Sequence, residues 1–333
     1  MDVRVLGKSG IAVSRLCFGT LTLSSCQADL DPEAGAELIQ YASSKGVNFL
    51  DTAELYENYA TIRKALRRIS QPVVIASKSY AYDRESARQS LEKARRALDF
   101  DVIDIFLLHE QESMLTLKGH EPALEYYLEA VEHGLIRATG ISTHAVEPVK
   151  AITAAVTGDY RLWQEAELDP GLWRYASIIH PLLNISGIGL LDGTAADMQA
   201  AVGAAHDAGI GIYGMKMLGG GHLLPRFQEA ADWALALNST DAFAVGMQSR
   251  AEIDVNVALF EGRPLAAADL EAASSKQRRL LVSEWCTGCG NCVQRCRSGA
   301  LTVRDQRVVC DSSRCTLCGY CATACRDFVL KVI

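Results

Sequence analysis

A chain of 333 residues, 49% of them hydrophobic, is long enough for one large single-core domain with a small appendage, and its composition is neither disordered nor fibrous. A formal net charge of -7 and a pI near 5.6 argue against nucleic acid or an acidic membrane surface as partner, because both recruit clustered Lys and Arg. No apolar run approaches the roughly 18 residues needed to span a bilayer. Met1 to Lys8 lack the apolar stretch of a secretory signal, so the chain is expected in the cytoplasm.

The opening reads as a hairpin, Val3 to Leu6 and Ala12 to Arg15 about the turn residues Lys8-Ser9-Gly10. Strands are then expected at Leu16 to Phe18, Val47 to Leu50, Val73 to Ala76, Ile103 to Leu108, Ala138 to Ile141, Ser177 to Leu183, Ile210 to Met215 and Ala242 to Gly246. Helical patterns alternate with them at Pro32 to Lys45, Thr61 to Ile69, Arg84 to Leu98, Pro122 to His133, Val146 to Val156, Ala195 to Ala208, Arg226 to Leu237 and Arg250 to Phe260. Eight strands with a helix after each fit a (β/α)8 TIM barrel; a doubly wound open sheet is the alternative. The barrel is expected over residues 1–264, a charged helical connector over 265–283 (Leu265 to Leu281 reading as helix), and a small ferredoxin-like α+β unit over 284–333.

Barrel enzymes carry their chemistry where strands end. Asp51, Lys78, His109 and Ser142 end four successive strands, and Tyr56 follows Asp51 by five residues. Singly, such a carboxylate caps a helix and such a phenol packs; their repetition at one mouth gives them weight. A phenol of pKa about 10 is a weak acid at neutral pH, an ammonium beside it lowers that pKa, and a carboxylate keeps the ammonium charged. The expected roles are therefore Tyr56 as general acid/base, Lys78 as its tuner, Asp51 as the holder of Lys78, and His109 as hydrogen-bond donor to a substrate oxygen. Such a set suits reduction of a carbonyl or oxidation of an alcohol.

Leu6-Gly7-Lys8-Ser9-Gly10 through Arg15, Asp51-Thr52-Ala53 with Tyr56, Lys78, Ile103-Asp104 leading to His109, and Gly140 to His144 together resemble the aldo-keto reductase superfamily over roughly the first 260 residues. The resemblance implies a (β/α)8 barrel reducing small-molecule carbonyls with NADP(H) or NAD(H). It carries the carboxamide-holding role to Ser142, with Thr143 in place of the usual Asn and His180 where Gln is common. Met215-Lys216 through Gly219-Gly220-Gly221 is similar to the segment that passes the nicotinamide and pyrophosphate, with Lys216 available for phosphate; a plain loop is the alternative for the glycines. Gly246 to Asn256 is similar to the adenosine site, where Gln248 and Glu252 stand at often basic positions and Arg250 remains to meet a 2′-phosphate. The Gly that commonly follows the family's Tyr is Glu57, and its Ser-Glu is Tyr59-Ala60.

Of eleven cysteines, nine lie from Cys286 onward, a clustering that points to metal ligation in a reducing compartment. Cys286-x-x-Cys289-x-x-Cys292-x-x-x-Cys296 recurs as Cys315-x-x-Cys318-x-x-Cys321-x-x-x-Cys325. The pair resembles a bacterial two-cluster ferredoxin, which implies two 4Fe-4S clusters: Cys286, Cys289, Cys292 and Cys325 for one, Cys315, Cys318, Cys321 and Cys296 for the other. Zinc is the alternative. Arg297 and Arg326 replace the Pro that usually follows the fourth cysteine, Cys17 reads as core, and Cys310 reads as packing or an alternative ligand. Trp163, Trp173 and Tyr175 read as substrate-pocket lining or scaffold.

A cubane passes single electrons and a nicotinamide passes a hydride, so three functions are open. The first is an aldo-keto reductase whose clusters exchange electrons with a ferredoxin- or flavodoxin-type protein or are mainly structural. The second is a ferredoxin-like reductase in which the clusters feed single electrons to a substrate in the barrel without nicotinamide. The third is an electron-transfer module on an inactive barrel.

Overall fold

The alternation of apolar runs and helical patterns closes into a ring. In the computed structural model, which describes residues 1–274, 278–318 and 320–333, β1 (Val3–Val5) and β2 (Ala12–Ser14) form the expected hairpin. Eight parallel strands follow: β3 (Leu16–Gly19), β4 (Phe49–Asp51), β5 (Val74–Ser79), β6 (Ile103–Leu108), β7 (Ile136–Thr143), β8 (Ile178–Pro181), β9 (Gly211–Met215) and β10 (Ala242–Gly246). They pair in chain order, and β10 closes onto β3 with Phe243 opposite Leu16. Closure rules out the open sheet.

Successive side chains of a strand face opposite ways. Ile105 and Leu107 of β6 therefore fill the barrel interior with Phe49, Val74, Ala76, Ile178 and Tyr213, while Phe106 and Leu108 pack outward against the helices. Leu6, Ile11 and Val13 of the hairpin join the interior cluster. Cys17 sits among them, fully buried, as its strand position implies. Helix starts follow local chemistry: Asp83 and Ser86 form a capping box, and Ser249 Oγ accepts the Glu252 N–H at 3.2 Å to begin the helix Arg250–Phe260. No helix among the described residues is long and apolar enough to cross a membrane.

The connector departs from the expected helix. It is helical over Ala267–Ser274, residues 275–277 lie outside the described residues, and Leu280–Val282 is a strand, β11. A strand suits the run Leu280-Leu281-Val282 because a partner strand is available at the chain's end. β12 (Leu301–Arg304) and β13 (Arg307–Cys310) form a hairpin, and β14 (Leu330–Val332) pairs antiparallel with β11. The pairing draws 280–282 into the cysteine-rich unit.

Candidate active site

The alternation that fills the barrel also builds its mouth. Asp51 follows Phe49 on the inward face, Lys78 follows Val74 and Ala76, His109 continues the line of Ile105 and Leu107, and His180 follows Ile178. Lys78 Nζ donates to Asp51 Oδ1 at 2.6 Å and to the Thr52 carbonyl at 2.7 Å. Tyr213 donates its hydroxyl to the same carboxylate oxygen at 3.2 Å, and His180 stacks on the Tyr213 ring at a centroid distance of 3.9 Å. Lys78 and Asp51 are 1% and 5% exposed, so each charge depends on the other and on these neighbours.

Tyr56 stands over this pair from the short turn Glu54–Tyr56, its ring 5.3 Å from Lys78 Nζ and edge-on to His109 at 6.0 Å. Tyr80 stacks on the other side of His109 at 4.5 Å. Glu57, where the family commonly has Gly, is left-handed at φ 52°, so a backbone conformation that favours glycine is retained beside the phenol without one. Burial, with Asp51 and Glu110 acting in the same direction, raises the Tyr56 phenol well above its ordinary value. Burial, the largest influence, thus overrides the lowering expected from the Lys78 ammonium. Burial pushes His109 down to about 3, which leaves a neutral imidazole at pH 7. Among the described residues its Nδ1 is buried without a partner.

A cavity of about 550 Å³ opens above the pair. Asp51, Tyr56, His180 and Met215 line it, with Lys216, Gly220 and Gly221 after β9, and Gly246, Gln248, Glu252 and Asn256 from the end of β10 and the helix that follows. Asn256 donates its amide to the Glu252 carbonyl at 2.7 Å, and among the described residues its Oδ1 is a buried acceptor without a partner. An exocyclic amine such as that of adenine would satisfy it, so this part of the lining fits an adenosine group. Arg250 is not there. Its guanidinium lies over the Tyr41 ring at 5.1 Å, and the arginine at the cavity is Arg278, paired with Glu252 at 3.2 Å. Ser142 and Thr143 are fully buried and do not line the cavity: Ser142 Oγ accepts the Glu110 N–H at 2.9 Å and Thr143 Oγ1 accepts the Ala145 N–H at 2.9 Å. Gly219 is likewise off the lining, behind its two neighbours. Lys216 does line it, with Nζ 2.9 Å from His144 Nε2. Trp163 and Trp173 are fully buried scaffold, the former donating to the Ala151 carbonyl, and Tyr175 is exposed.

Sequence reasoning missed Tyr213, Arg278 and Lys331. The first could have been found from its inward parity on β9; the other two lie beyond the family-like region and carry no motif.

In the cysteine-rich unit, Cys296, Cys315, Cys318 and Cys321 line one small cavity, and Cys286, Cys289 and Cys325 are the thiols that act on Cys292. Cys292 also acts on Cys321, so the two sets lie side by side. Thiolates are the donors a cubane takes, so the chemistry of the residues fits the group; among the described residues no three of them converge as a site for a single metal ion. Cys310 lies beside Cys315 and Cys296 and shares a core cluster with Cys296.

The aldo/keto reductase family model matches residues 15–233, more than half of the chain, and a 4Fe-4S binding domain model matches residues 281–302. The chain belongs to the aldo/keto reductase family, a family of oxidoreductases, and carries a 4Fe-4S binding domain at its C-terminal side. Among curated relatives, "Probable aldo-keto reductase 1" of Glycine max is 27% identical over 183 residues, 47% of this chain and 51% of that protein. The 6-dehydroglucose reductase of Novosphingobium aromaticivorans is 27% identical over 169 residues, 45% of this chain and 54% of that protein. The chain spans about half the length of the curated relatives it matches. The solved holo form of aldo-keto reductase AKR11C1 from Bacillus halodurans superposes with a TM-score of 0.62 at 21% identity, over 83% of this chain and 96% of that one, a likeness of fold.

Proposed function

We propose that this chain reduces a small-molecule carbonyl, or oxidises the corresponding alcohol, with NADP(H) or NAD(H) in the barrel cleft, and that its C-terminal unit holds two 4Fe-4S clusters for electron transfer. The clusters are held by Cys286, Cys289, Cys292 and Cys325 and by Cys315, Cys318, Cys321 and Cys296, and they exchange electrons with a ferredoxin- or flavodoxin-type protein. The observation that carries the reading is the buried Lys78–Asp51 pair beside Tyr56 and His109, with Asp51 and Tyr56 lining the same cleft as Asn256, whose Oδ1 has no partner among the described residues.

When bound, a reduced nicotinamide supplies a hydride to the carbonyl carbon. The chain's own residues handle the oxygen. Neutral His109 donates an N–H to it, which orients the carbonyl and offsets the charge that grows there. The raised pKa of Tyr56 keeps the phenol protonated at neutral pH, so it holds the proton the oxygen takes. As that proton leaves, the Lys78 ammonium, 5.3 Å from the ring, offsets charge on the developing phenolate, and Asp51 keeps Lys78 in place. In the alcohol direction the same groups act in reverse.

One observation favours the second reading, in which clusters feed a substrate without nicotinamide: the strand that follows Cys325 lines the same cleft through Lys331 and Val332. An anaerobic titration of the iron-loaded protein with NADPH and with NADH, following cluster absorbance and nicotinamide fluorescence, separates the two. Binding with bleaching of the clusters supports the first reading and its coupling to iron. No binding of either nucleotide moves the assignment to the second.

A further inference from the structure

Part of the cleft's lining does not belong to the barrel. Lys331 and Val332 of β14 line it together with Lys216 to Leu218. β14 is seated on the glycines that follow β9. Gly220 is left-handed at φ 65°, and a Cβ there would come within 2.9 Å of Phe328 Cζ; at Gly221 a Cβ would come within 2.3 Å of the Val332 carbonyl oxygen. The glycine run expected to pass a pyrophosphate is thus also what lets the C-terminal strand approach. His222 Nε2, 3.0 Å from the Leu330 carbonyl, fixes the strand further.

This docking puts two amines from different regions on one ring. Lys331 Nζ lies 3.5 Å from the Phe328 ring centroid and Lys216 Nζ 4.6 Å from it. Of the carboxylates that line the cleft, Asp51 and Glu252 are paired with Lys78 and Arg278. Lys331 is 7% exposed, and its Nζ donates to the Phe328 carbonyl. Burial lowers both amines, Lys216 to about 8, and the Lys216 charge lowers Lys331 further; Glu110, which is not part of the cleft lining, opposes the lowering of both. Two buried amines on a shared ring in the lining of an open cleft favour an anion set between them.

We infer that Lys216 and Lys331 together bind the diphosphate of a dinucleotide, so that the iron–sulfur unit completes the barrel's binding site and its docking is linked to ligand affinity. The inference rests on the reading of the cleft as a nicotinamide dinucleotide site. Groups suited to each part of such a ligand line one cleft: Tyr56 and His180, the two amines, and Asn256.

The test uses cluster-loaded full-length protein and measures binding of NADPH, NADH, ADP-ribose, inorganic pyrophosphate and adenosine calorimetrically to the wild type, Lys331→Met, Lys331→Arg and Lys216→Met. Visible cluster absorbance reports that the C-terminal unit is intact. Lys331→Met is expected to weaken both dinucleotides and ADP-ribose by at least about tenfold, the scale of one charge-assisted contact. It should leave adenosine unchanged, and Lys331→Arg should retain most of the affinity. Should Lys331→Met lose its cluster absorbance, Lys216→Met on the barrel side carries the same expectation. Dinucleotide affinity unchanged in both Met variants overturns this inference and leaves the cleft reading standing. Pyrophosphate binding that Lys331→Met removes, without dinucleotide binding by the wild type, overturns the cleft reading and with it the dinucleotide as ligand. Binding of neither overturns both.

Discussion

The barrel and the cysteine-rich unit are held together by different means. The barrel interior is closed by apolar side chains from every strand, with the helices packed on a second apolar layer outside. The C-terminal core is small, built from Cys292, Leu301, Val308, Cys321, Val329 and Leu330, so proposed ligands are part of its packing. A unit of some fifty residues buries too little to stand on apolar packing alone, and metal ligation is one of the usual remedies. Barrel folding should therefore be indifferent to iron, and folding of the C-terminal unit should depend on it. The seam joins these two behaviours: strand β14 makes a metal-dependent unit a wall of a metal-independent cleft.

The largest effect expected on the barrel side is chemical. Tyr56→Phe should lower kcat for nicotinamide-dependent carbonyl reduction by about 10³-fold, the middle of the range for a lost general acid, with iron content unchanged. Steady-state kinetics beside an iron assay check both halves. Carbonyl reduction that survives the substitution would show that Tyr56 is not the general acid, and no carbonyl reduction by the wild type would support the inactive-barrel alternative. On the other side of the comparison, Cys321→Ser should cost about half of the bound iron if two clusters are present, and should lower the unfolding temperature of the C-terminal unit while leaving the barrel transition in place. Loss of both transitions together would show that the two regions fold as one unit, against the contrast drawn above.

How far each region was legible follows from what holds it. Barrel strands show in the sequence because each is an apolar run bounded by helical pattern, and the positions of Asp51, Lys78 and His109 follow from alternation along those strands. The ligand cysteines show through spacing alone. The hairpin of β12 and β13 and the pairing of β11 with β14 did not, since three- and four-residue strands leave almost no periodicity. Arg250 was misread for a similar reason. Its place at the start of a helix is legible, but packing decides the direction of the side chain, which lies over the Tyr41 ring. The seam was illegible from either side, because Gly219-Gly220-Gly221 reads equally as a phosphate loop or as a seat for another backbone. No pattern announces that Lys331 will meet Lys216.

That ambiguity can be broken by filling the seat. Gly221 is left-handed at φ 89°, and its Cβ would meet the Val332 carbonyl oxygen at 2.3 Å. Gly221→Val should therefore undock β14 at a cost of about 1–3 kcal/mol from backbone strain alone, with faster proteolysis around the connector and a dinucleotide affinity reduced toward that of Lys331→Met. If the glycines serve only a phosphate, proteolysis should stay as in the wild type while binding falls.

The smallest effect concerns what the seam costs the fold. Lys216 is held near a pKa of about 8 by burial, against 10.5 for an ordinary lysine. Below about pH 8 both the folded and unfolded chains carry the proton, and the folded state bears the full penalty of a buried ammonium. Between about 8 and 10.5 the unfolded chain binds more protons than the folded one, so the unfolding free energy rises with pH across that window. Lys216→Met keeps the side chain's length and removes the charge. It should be more stable than the wild type at pH 7 by about 1 kcal/mol, and the difference should shrink as the pH passes through 8 toward 10. Denaturant titrations of both proteins at pH 7 and pH 10 read this directly. A variant that gains stability at pH 7 while losing dinucleotide affinity would identify Lys216 as a residue retained for its ligand, since its charge opposes the fold that buries it. A variant less stable at pH 7 would show that the contact with His144, rather than an absent anion, accounts for the lysine's place.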